Sequence, residues 1–196
     1  MKKILIWVGA ILGGLIAVLV ILIAVLYVIG TSRINKVYDV DVAAIAIPSG
    51  AVAVERGKHL VESIGLCVEC HGENLPGDIL EDDPVFGTLA PSNLTTGLGG
   101  VGGEYTDVQF VRAIRNGINK GGNPLAIMPS NYYNVINDED VGAIVAYLKS
   151  LPPVDNEQKE TKLGPLGRIL TIVEKELLPA QVIDHDAPRP APVPAG

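Results

Sequence analysis

The sequence predicts an all-α protein with an N-terminal transmembrane helix, and three observations lead to this expectation. The first is a run of 26 residues, from Ile4 to Ile29, that contains no charged side chain. The second is a group of three later segments in which apolar residues recur at spacings of three and four, as on one face of a helix. The third is the lack of any segment that alternates convincingly between apolar and polar residues, as a half-buried strand would.

The apolar run is long enough to cross a bilayer, for which about 20 residues suffice. A cleavable signal peptide would have a shorter apolar region and a small-residue cleavage site, whereas this run leads into Leu26-Tyr27-Val28-Ile29. We therefore interpret residues 1–30 as a retained transmembrane signal anchor and residues 31–50 as a tether. Orientation is left undecided by the charges on either side of the run, which are Lys2, Lys3, Arg33 and Lys36.

Residues 51–153 form the predicted helical domain, and its first helix has one apolar face that runs into Cys67. A glycine, Gly57, lies within that face and favours a close contact with another helix. The other members of the face are Val54, Leu60, Val61 and Ile64.

The second and third helices begin at recognisable caps. Thr106 and Gln109 make a capping-box pattern at the start of the second helix, which is expected to continue through Ile118. Asn137 is a favourable N-cap for the third helix, and the three acidic residues after it lie beside the positive helix end. Pro152-Pro153 stops this helix.

Two further regions are expected to be largely irregular. The loop of residues 72–104 is long for a compact domain, which suggests that it packs on a cofactor. Within it, residues 97–102 match a dinucleotide-binding fingerprint by letters alone, because no strand–helix unit surrounds them. Residues 154–196 form a C-terminal extension with a short helix from Pro165 to about Leu178 and a Pro/Ala-rich tail that is expected to be poorly ordered.

The charge distribution argues against nucleic acid as a partner. Residues 37–196 carry all 22 Asp and Glu but only 11 Lys and Arg, so this part of the chain would repel phosphates. The acidic surface is consistent with steering toward a basic protein or simply with solubility.

The chemistry is predicted by one motif, Cys67-Val68-Glu69-Cys70-His71, which holds both cysteines of the chain. In a c-type site two thiols add to the two vinyl groups of haem, and the next residue places an imidazole on the iron. Two intervening residues match the vinyl separation, so Cys-x-x-Cys-His is typical of one covalently attached haem c.

Other interpretations of the motif fit less well. A thioredoxin-like pair should lie in a strand–helix setting, and a structural zinc site needs four ligands. A plain disulfide would leave His71 unexplained. The remaining histidines, His59 and His185, are interpreted as a solvated side chain and as a surface partner of neighbouring carboxylates.

Met128 is the candidate sixth ligand of the iron. It is the only methionine besides Met1, and it lies next to Pro129 in a loop before the third helix. Ligation by one Met and one His raises the potential relative to two imidazoles. Because it also fills both axial positions, this pattern favours electron transfer over catalysis.

At this point the sequence resembles a class I cytochrome c, and it is most similar to the cytochrome c subunits of membrane-bound alcohol and aldehyde dehydrogenases. The resemblance implies the class I cytochrome c fold, in which the first and last helices cross at Gly57 and Tyr147. It also implies His71 and Met128 as axial ligands. The stretches that carry it are Arg56–Leu60, Phe86–Thr88, Asn93–Thr95, Thr106–Gly117, Met128-Pro129 and Asp138–Pro152.

The predicted function is that of a membrane-anchored monohaem cytochrome that carries single electrons and is not itself an enzyme. Since haem is attached covalently outside the cytoplasm, the domain should face the periplasm or cell exterior from a single-pass anchor in the cytoplasmic membrane. The first hypothesis is a shuttle between a quinol-oxidising complex and a terminal acceptor such as a terminal oxidase. The alternative is an electron-accepting subunit of a membrane-bound dehydrogenase. A haem sensor or peroxidase would require the loss of Met128 ligation.

Relatives that serve dehydrogenases often carry several haem domains, whereas this sequence has one haem motif. Residues 183–188 resemble a linker that precedes a second haem domain in longer relatives. A partner is therefore expected to supply the next redox centre. The residues considered for holding the haem propionates are Arg112, Arg115, Asn93 and Tyr132.

Overall fold

The computed structural model describes residues 2–191, and these residues are mostly helical. Three short strands form a small sheet beside the helices. The elements in chain order are helix α1 (Lys2–Ile34), α2 (Ala51–His59), a π-helical turn (Leu60–Ile64), α3 (Cys67–His71), strands β1 (Glu81–Asp83) and β2 (Gly87–Leu89), helices α4 (Asp107–Asn116), α5 (Ser130–Tyr133) and α6 (Asp138–Ser150), strand β3 (Lys162–Leu163), helix α7 (Pro165–Val173), and 3-10 turns at Lys175–Leu177 and Pro179–Gln181.

Helix α1 is long and apolar enough to cross a membrane. It continues to Ile34, so the first residues of the predicted tether belong to the helix. Its side chains are exposed along most of its length, and Gly30 is the buried exception. Apart from its last turns, no described residue packs around its apolar surface, which is consistent with a lipid-facing span.

The core of the domain lies where α2 crosses α6, as expected. A side chain at Gly57 would overlap the carbonyl of Ala143 and would lie 2.8 Å from Cβ of Tyr147, so only glycine permits this approach. The Tyr147 hydroxyl donates to Oε1 of Glu62 at 3.0 Å and fastens the crossing. The buried apolar residues gathered there are Val61, Leu75, Phe110, Val111, Ile114, Val141, Ile144, Val145, Leu148 and Leu151.

The predicted caps of the two later helices are confirmed. Thr106 accepts a hydrogen bond from the Gln109 N–H, and the Gln109 side chain accepts one from the Thr106 N–H at 2.9 Å. Asn137 accepts from the Asp140 N–H at 2.9 Å. Helix α4 ends earlier than expected, because Gly117 adopts a left-handed conformation with φ 64°.

The expectation that the chain contains no strand or hairpin is wrong. Strands β1 and β2 pair antiparallel, with Glu81 opposite Leu89, and β2 pairs with β3 in the C-terminal extension. Strands of two or three residues are too short to show alternation. The pairing with β3 also joins segments far apart in sequence, which no local pattern reveals.

The tether and the C-terminal extension both lie against the domain. The Tyr38 N–H donates to the Gly122 carbonyl at 2.9 Å. Helix α7 begins at Pro165 as predicted but ends at Val173, and the two 3-10 turns follow. The end of the Pro/Ala-rich tail, residues 192–196, lies outside the described residues.

Candidate haem site

The motif Cys67–His71 forms a separate short helix rather than the end of the predicted first helix. Helix α2 widens into the π-helical turn, in which the Gly65 N–H donates to the Leu60 carbonyl at 2.6 Å. Leu66 then adopts φ 50°, a left-handed conformation that is uncommon for a residue with a side chain. This break reorients the chain, so that both cysteines and His71 lie on their own turn.

His71 is held by a backbone carbonyl. Its Nδ1 lies 2.7 Å from the carbonyl oxygen of Ser92, and a carbonyl only accepts, so Nδ1 carries the proton and donates it. The lone pair of Nε2 is therefore free to bind a metal ion. Burial lowers the pKa of His71, against the opposing effect of the Ser92 hydrogen bond, and this favours the neutral imidazole that ligation needs.

Cys67 and Cys70 are both free thiols and both partly buried. Burial raises the pKa of Cys67 to about 11. A thioredoxin-like pair works through a thiol whose pKa is lowered, so this environment argues against that alternative. The turn before Cys67 is fastened by Tyr133, whose hydroxyl donates to the Gly65 carbonyl at 2.6 Å.

Met128 lies in the loop between α4 and α5. It is partly buried and packs against the same apolar core as Cys67. Its carbonyl accepts from the Ser130 N–H at 2.7 Å, and the Ser130 hydroxyl donates to the Ala113 carbonyl at 3.0 Å. The structure thus places Met128 and Cys67 against one apolar core.

The two other histidines differ from each other. His59 is exposed at the end of α2, in agreement with its interpretation as a solvated side chain. The interpretation of His185 as a surface charge partner is wrong, because it is partly buried and packs edge-on against Tyr38. Both of its ring nitrogens are engaged, with Asn116 at 2.9 Å and with the Ala180 carbonyl at 3.1 Å.

Most of the polar residues considered for binding the haem propionates already make hydrogen bonds or ion pairs within the protein. Asn93 is fully buried, and its amide donates to the Val154 carbonyl at 2.7 Å, while Tyr132 is exposed. Arg115 pairs with Asp138 at 2.7 Å and is only 3% exposed. Within residues 2–191, the Nε atoms of Arg115 and Arg112 have no hydrogen-bond partner.

Sequence reasoning missed three residues that shape the site, namely Ser92, Ser130 and Tyr133. Ser92 acts through its carbonyl, which every residue possesses, so no sequence signal marks it. The position of Tyr133 five residues after Met128 offered a weak signal, because a tyrosine in such a loop needs a partner for its hydroxyl. The motif and the loop of Met128 offer two thiols, one imidazole lone pair and one thioether, and donors of these types suit a haem c.

Comparison with known proteins supports the same cofactor, a haem c. Residues 52–148 match the family model of "cytochrome c oxidase, cbb3-type, subunit III". The chain is 37% identical to one of the subunits of nicotinate dehydrogenase from Pseudomonas putida over 55% of this chain and 9% of that protein. It is 33% identical to the gluconate 2-dehydrogenase cytochrome c subunit of Pantoea cypripedii over 56% of this chain and 26% of that protein.

A third relative is the cytochrome c subunit of alcohol dehydrogenase (quinone) from Gluconacetobacter polyoxogenes, at 29% identity over 69% of this chain and 32% of that protein. The chain thus spans a third or less of the length of these curated relatives. The mostly helical domain, the placement of the motif and the family match agree. Residues 52–148 are therefore a cytochrome c domain, an electron-transfer module whose family implies a haem c.

Proposed function

We propose that the chain binds one haem c covalently through Cys67 and Cys70, with His71 and Met128 as the axial ligands of its iron. The observation that carries this proposal is the His71 imidazole, which is oriented by the Ser92 carbonyl beside two free thiols. The haem supplies a one-electron couple between ferrous and ferric iron. With His71 and Met128 both bound to it, the iron would exchange electrons and would leave no open position for substrates or oxygen.

The anchor of this cytochrome is α1, which crosses the cytoplasmic membrane once. Covalent attachment of haem takes place outside the cytoplasm, so the domain faces the periplasm or cell exterior. Lys2 and Lys3 then lie on the cytoplasmic side, in keeping with the bias of cytoplasmic flanks toward cations.

The partner that the relatives favour is a membrane-bound dehydrogenase, and we propose that this chain is its electron-accepting cytochrome subunit. All three relatives are named as dehydrogenase subunits. The description of the matching family, which names an oxidase subunit, favours a second candidate. In that role the chain carries electrons between respiratory complexes to a terminal oxidase. The acidic surface of the domain would attract a basic patch on the surface of either partner.

Haem attachment is tested by haem staining of a denaturing gel, which keeps only covalently bound haem. We expect a stained band for the parent chain and for Met128→Leu, and none for the double variant Cys67→Ala/Cys70→Ala. Met128→Leu should also lose the long-wavelength absorption band of thioether-ligated ferric haem, while His59→Ala should keep it. An unstained parent chain would refute the covalent site, and an unchanged band in Met128→Leu would remove Met128 as ligand.

The partner is tested by purification of the tagged full-length chain in mild detergent. A dehydrogenase chain in stoichiometric amount, reducing the haem when its substrate is added, would support the subunit role. Recovery of the chain with an oxidase, and with no dehydrogenase, would favour the shuttle instead.

A further inference from the structure

Helix α7 in the C-terminal extension has an apolar face that no part of the described chain covers completely. Another face of the helix carries Gly167 and Thr171, which are buried. Val173 is 73% exposed and Leu166 is 43% exposed, although a solvated helix would normally place polar residues there. The apolar stripe consists of Leu166, Ile169, Leu170 and Val173.

This helix is fastened to the last turns of α1. The backbone of Arg168 lies directly against Gly30, where a side chain would overlap its carbonyl. The guanidinium of Arg33 donates to the Thr171 carbonyl at 2.8 Å, and that of Arg168 donates to the hydroxyl of Thr31 at 3.1 Å. Helix α7 is therefore tied to the place where the apolar helix joins the domain.

The aromatic residues of α1 indicate where the membrane surface lies. Trp7 and Tyr27 are 20 residues apart, which corresponds to about 30 Å along a helix and equals the thickness of the hydrocarbon layer. Tryptophan and tyrosine prefer the two interfaces of a bilayer. The guanidinium carbon of Arg168 lies 5.5 Å from the centre of the Tyr27 ring, so α7 lies at the level of the interface.

The exposed apolar surface continues from α7 onto the β1–β2 hairpin. The Leu166 N–H donates to the Val85 carbonyl at 2.9 Å, and Val85 is 54% exposed. Two carboxylates of the hairpin are engaged within the protein, since Asp83 accepts from the Val85 and Phe86 N–H groups and Asp82 pairs with Lys159.

We propose that the stripe of α7, together with Val85, is a membrane-contact surface that inserts shallowly into the phospholipid interface on the side of the haem domain. The proposal rests on α1 being a membrane span, as proposed above. Arg33 and Arg168 lie at the level of the lipid phosphates and suit them in charge. The domain is then held against the bilayer at two points and keeps a fixed orientation, rather than moving freely on a tether.

The test uses the full-length haem-containing protein in vesicles of phosphatidylethanolamine and phosphatidylglycerol. A nitroxide spin label is placed on one added cysteine, in Val173→Cys, Val52→Cys or Leu15→Cys. Val52 is the matched control, because it is also an exposed valine, 87% exposed at the start of α2. The haem is kept reduced, since low-spin ferrous iron is diamagnetic. Power-saturation measurements then compare relaxation by oxygen, which enters lipid, with relaxation by a water-soluble nickel chelate.

We expect the label at position 173 to lose accessibility to nickel and to gain accessibility to oxygen, with a depth between those at positions 52 and 15. Equal nickel accessibility at 173 and 52, with position 15 deep in lipid, would overturn the α7 contact and leave the anchor intact. A label at position 15 that is open to nickel would instead refute the anchor.

Discussion

The two segments that carry the proposed axial ligands are held in place by different parts of the chain. The cysteine motif is supported from within the matched region of residues 52–148, through the Ser92 carbonyl and the Tyr133 hydroxyl. The loop of Met128 is supported from outside that region as well. The Ile127 N–H donates to the Leu177 carbonyl at 2.9 Å, and the Gly122 carbonyl accepts from the Tyr38 N–H.

The tether and the C-terminal extension therefore help to hold the loop of Met128 in place. Ile127 has φ 58°, an uncommon conformation that the surrounding structure has to maintain. Its hydrogen bond to Leu177 supplies part of that support. Removing the outer segments should therefore loosen Met128 while the covalent attachment at the cysteines persists.

The largest expected effect comes from Leu178→Ala. Leu178 is 1% exposed and follows the carbonyl that holds Ile127. A leucine-to-alanine change in a core costs about 3 kcal/mol, and here the loss should fall on the support of Met128. We expect the thioether band of the ferric haem to disappear at a lower denaturant concentration than in the parent, as followed by absorption during unfolding.

Leu98→Ala is the matched control, because Leu98 is 60% exposed. A thioether band in Leu178→Ala that is as resistant to denaturant as in this control would contradict the view that the extension supports the loop of Met128.

The second effect concerns the crossing of α2 and α6, which packs against both the cysteine motif and the loop of Met128. In Gly57→Ala the new methyl group would overlap the Ala143 carbonyl, so α2 and α6 must separate. Overpacking of this kind costs about 2 kcal/mol, and both segments should lose stability together. Chemical unfolding followed by circular dichroism would measure the cost.

Gly103→Ala supplies the control, since a side chain there meets nothing within 4 Å. If Gly57→Ala unfolds at the same denaturant concentration as Gly103→Ala, the crossing does not depend on close approach at this glycine.

The features that sequence could predict are those determined by neighbouring residues. The capping box at Thr106, the cap at Asn137 and the cysteine motif each depend on residues within a few positions of one another. The close crossing at Gly57 was accessible through the apolar face in which the glycine lies and through the family resemblance.

The remaining features depend on contacts between distant segments. Strand β3 pairs with β2 across more than 70 residues, and the support of His71 is a backbone carbonyl that has no residue signature. The break at Leu66 was also hidden, because a leucine gives no indication of a left-handed conformation. The burial of His185 followed from the folding back of the extension, which its flanking aspartates did not suggest.

The third prediction returns to the cysteine motif and uses Tyr133→Phe. This variant keeps the ring and removes only the hydroxyl that donates to the Gly65 carbonyl. A single neutral hydrogen bond is worth about 1 kcal/mol, so the free energy of unfolding should fall by roughly that amount. The haem should remain attached and the thioether band should persist. Tyr132→Phe is the control, because the Tyr132 side chain is exposed. A loss no greater than in Tyr132→Phe would show that the hydroxyl does not support the motif.

The smallest effect is expected at His185, which belongs to the C-terminal extension that supports the loop of Met128. His185→Ala removes the contacts with Asn116 and with the Ala180 carbonyl. Because the side chain is only partly buried, we expect a loss of about 0.5–1 kcal/mol in the free energy of unfolding. His59→Ala, which removes an exposed histidine, should change the free energy of unfolding little. The absorption spectrum distinguishes the two variants. At moderate denaturant concentration His185→Ala should weaken the thioether band, whereas Tyr133→Phe should not. Identical spectral behaviour of the two variants would mean that the extension and the motif stabilise the site as one unit.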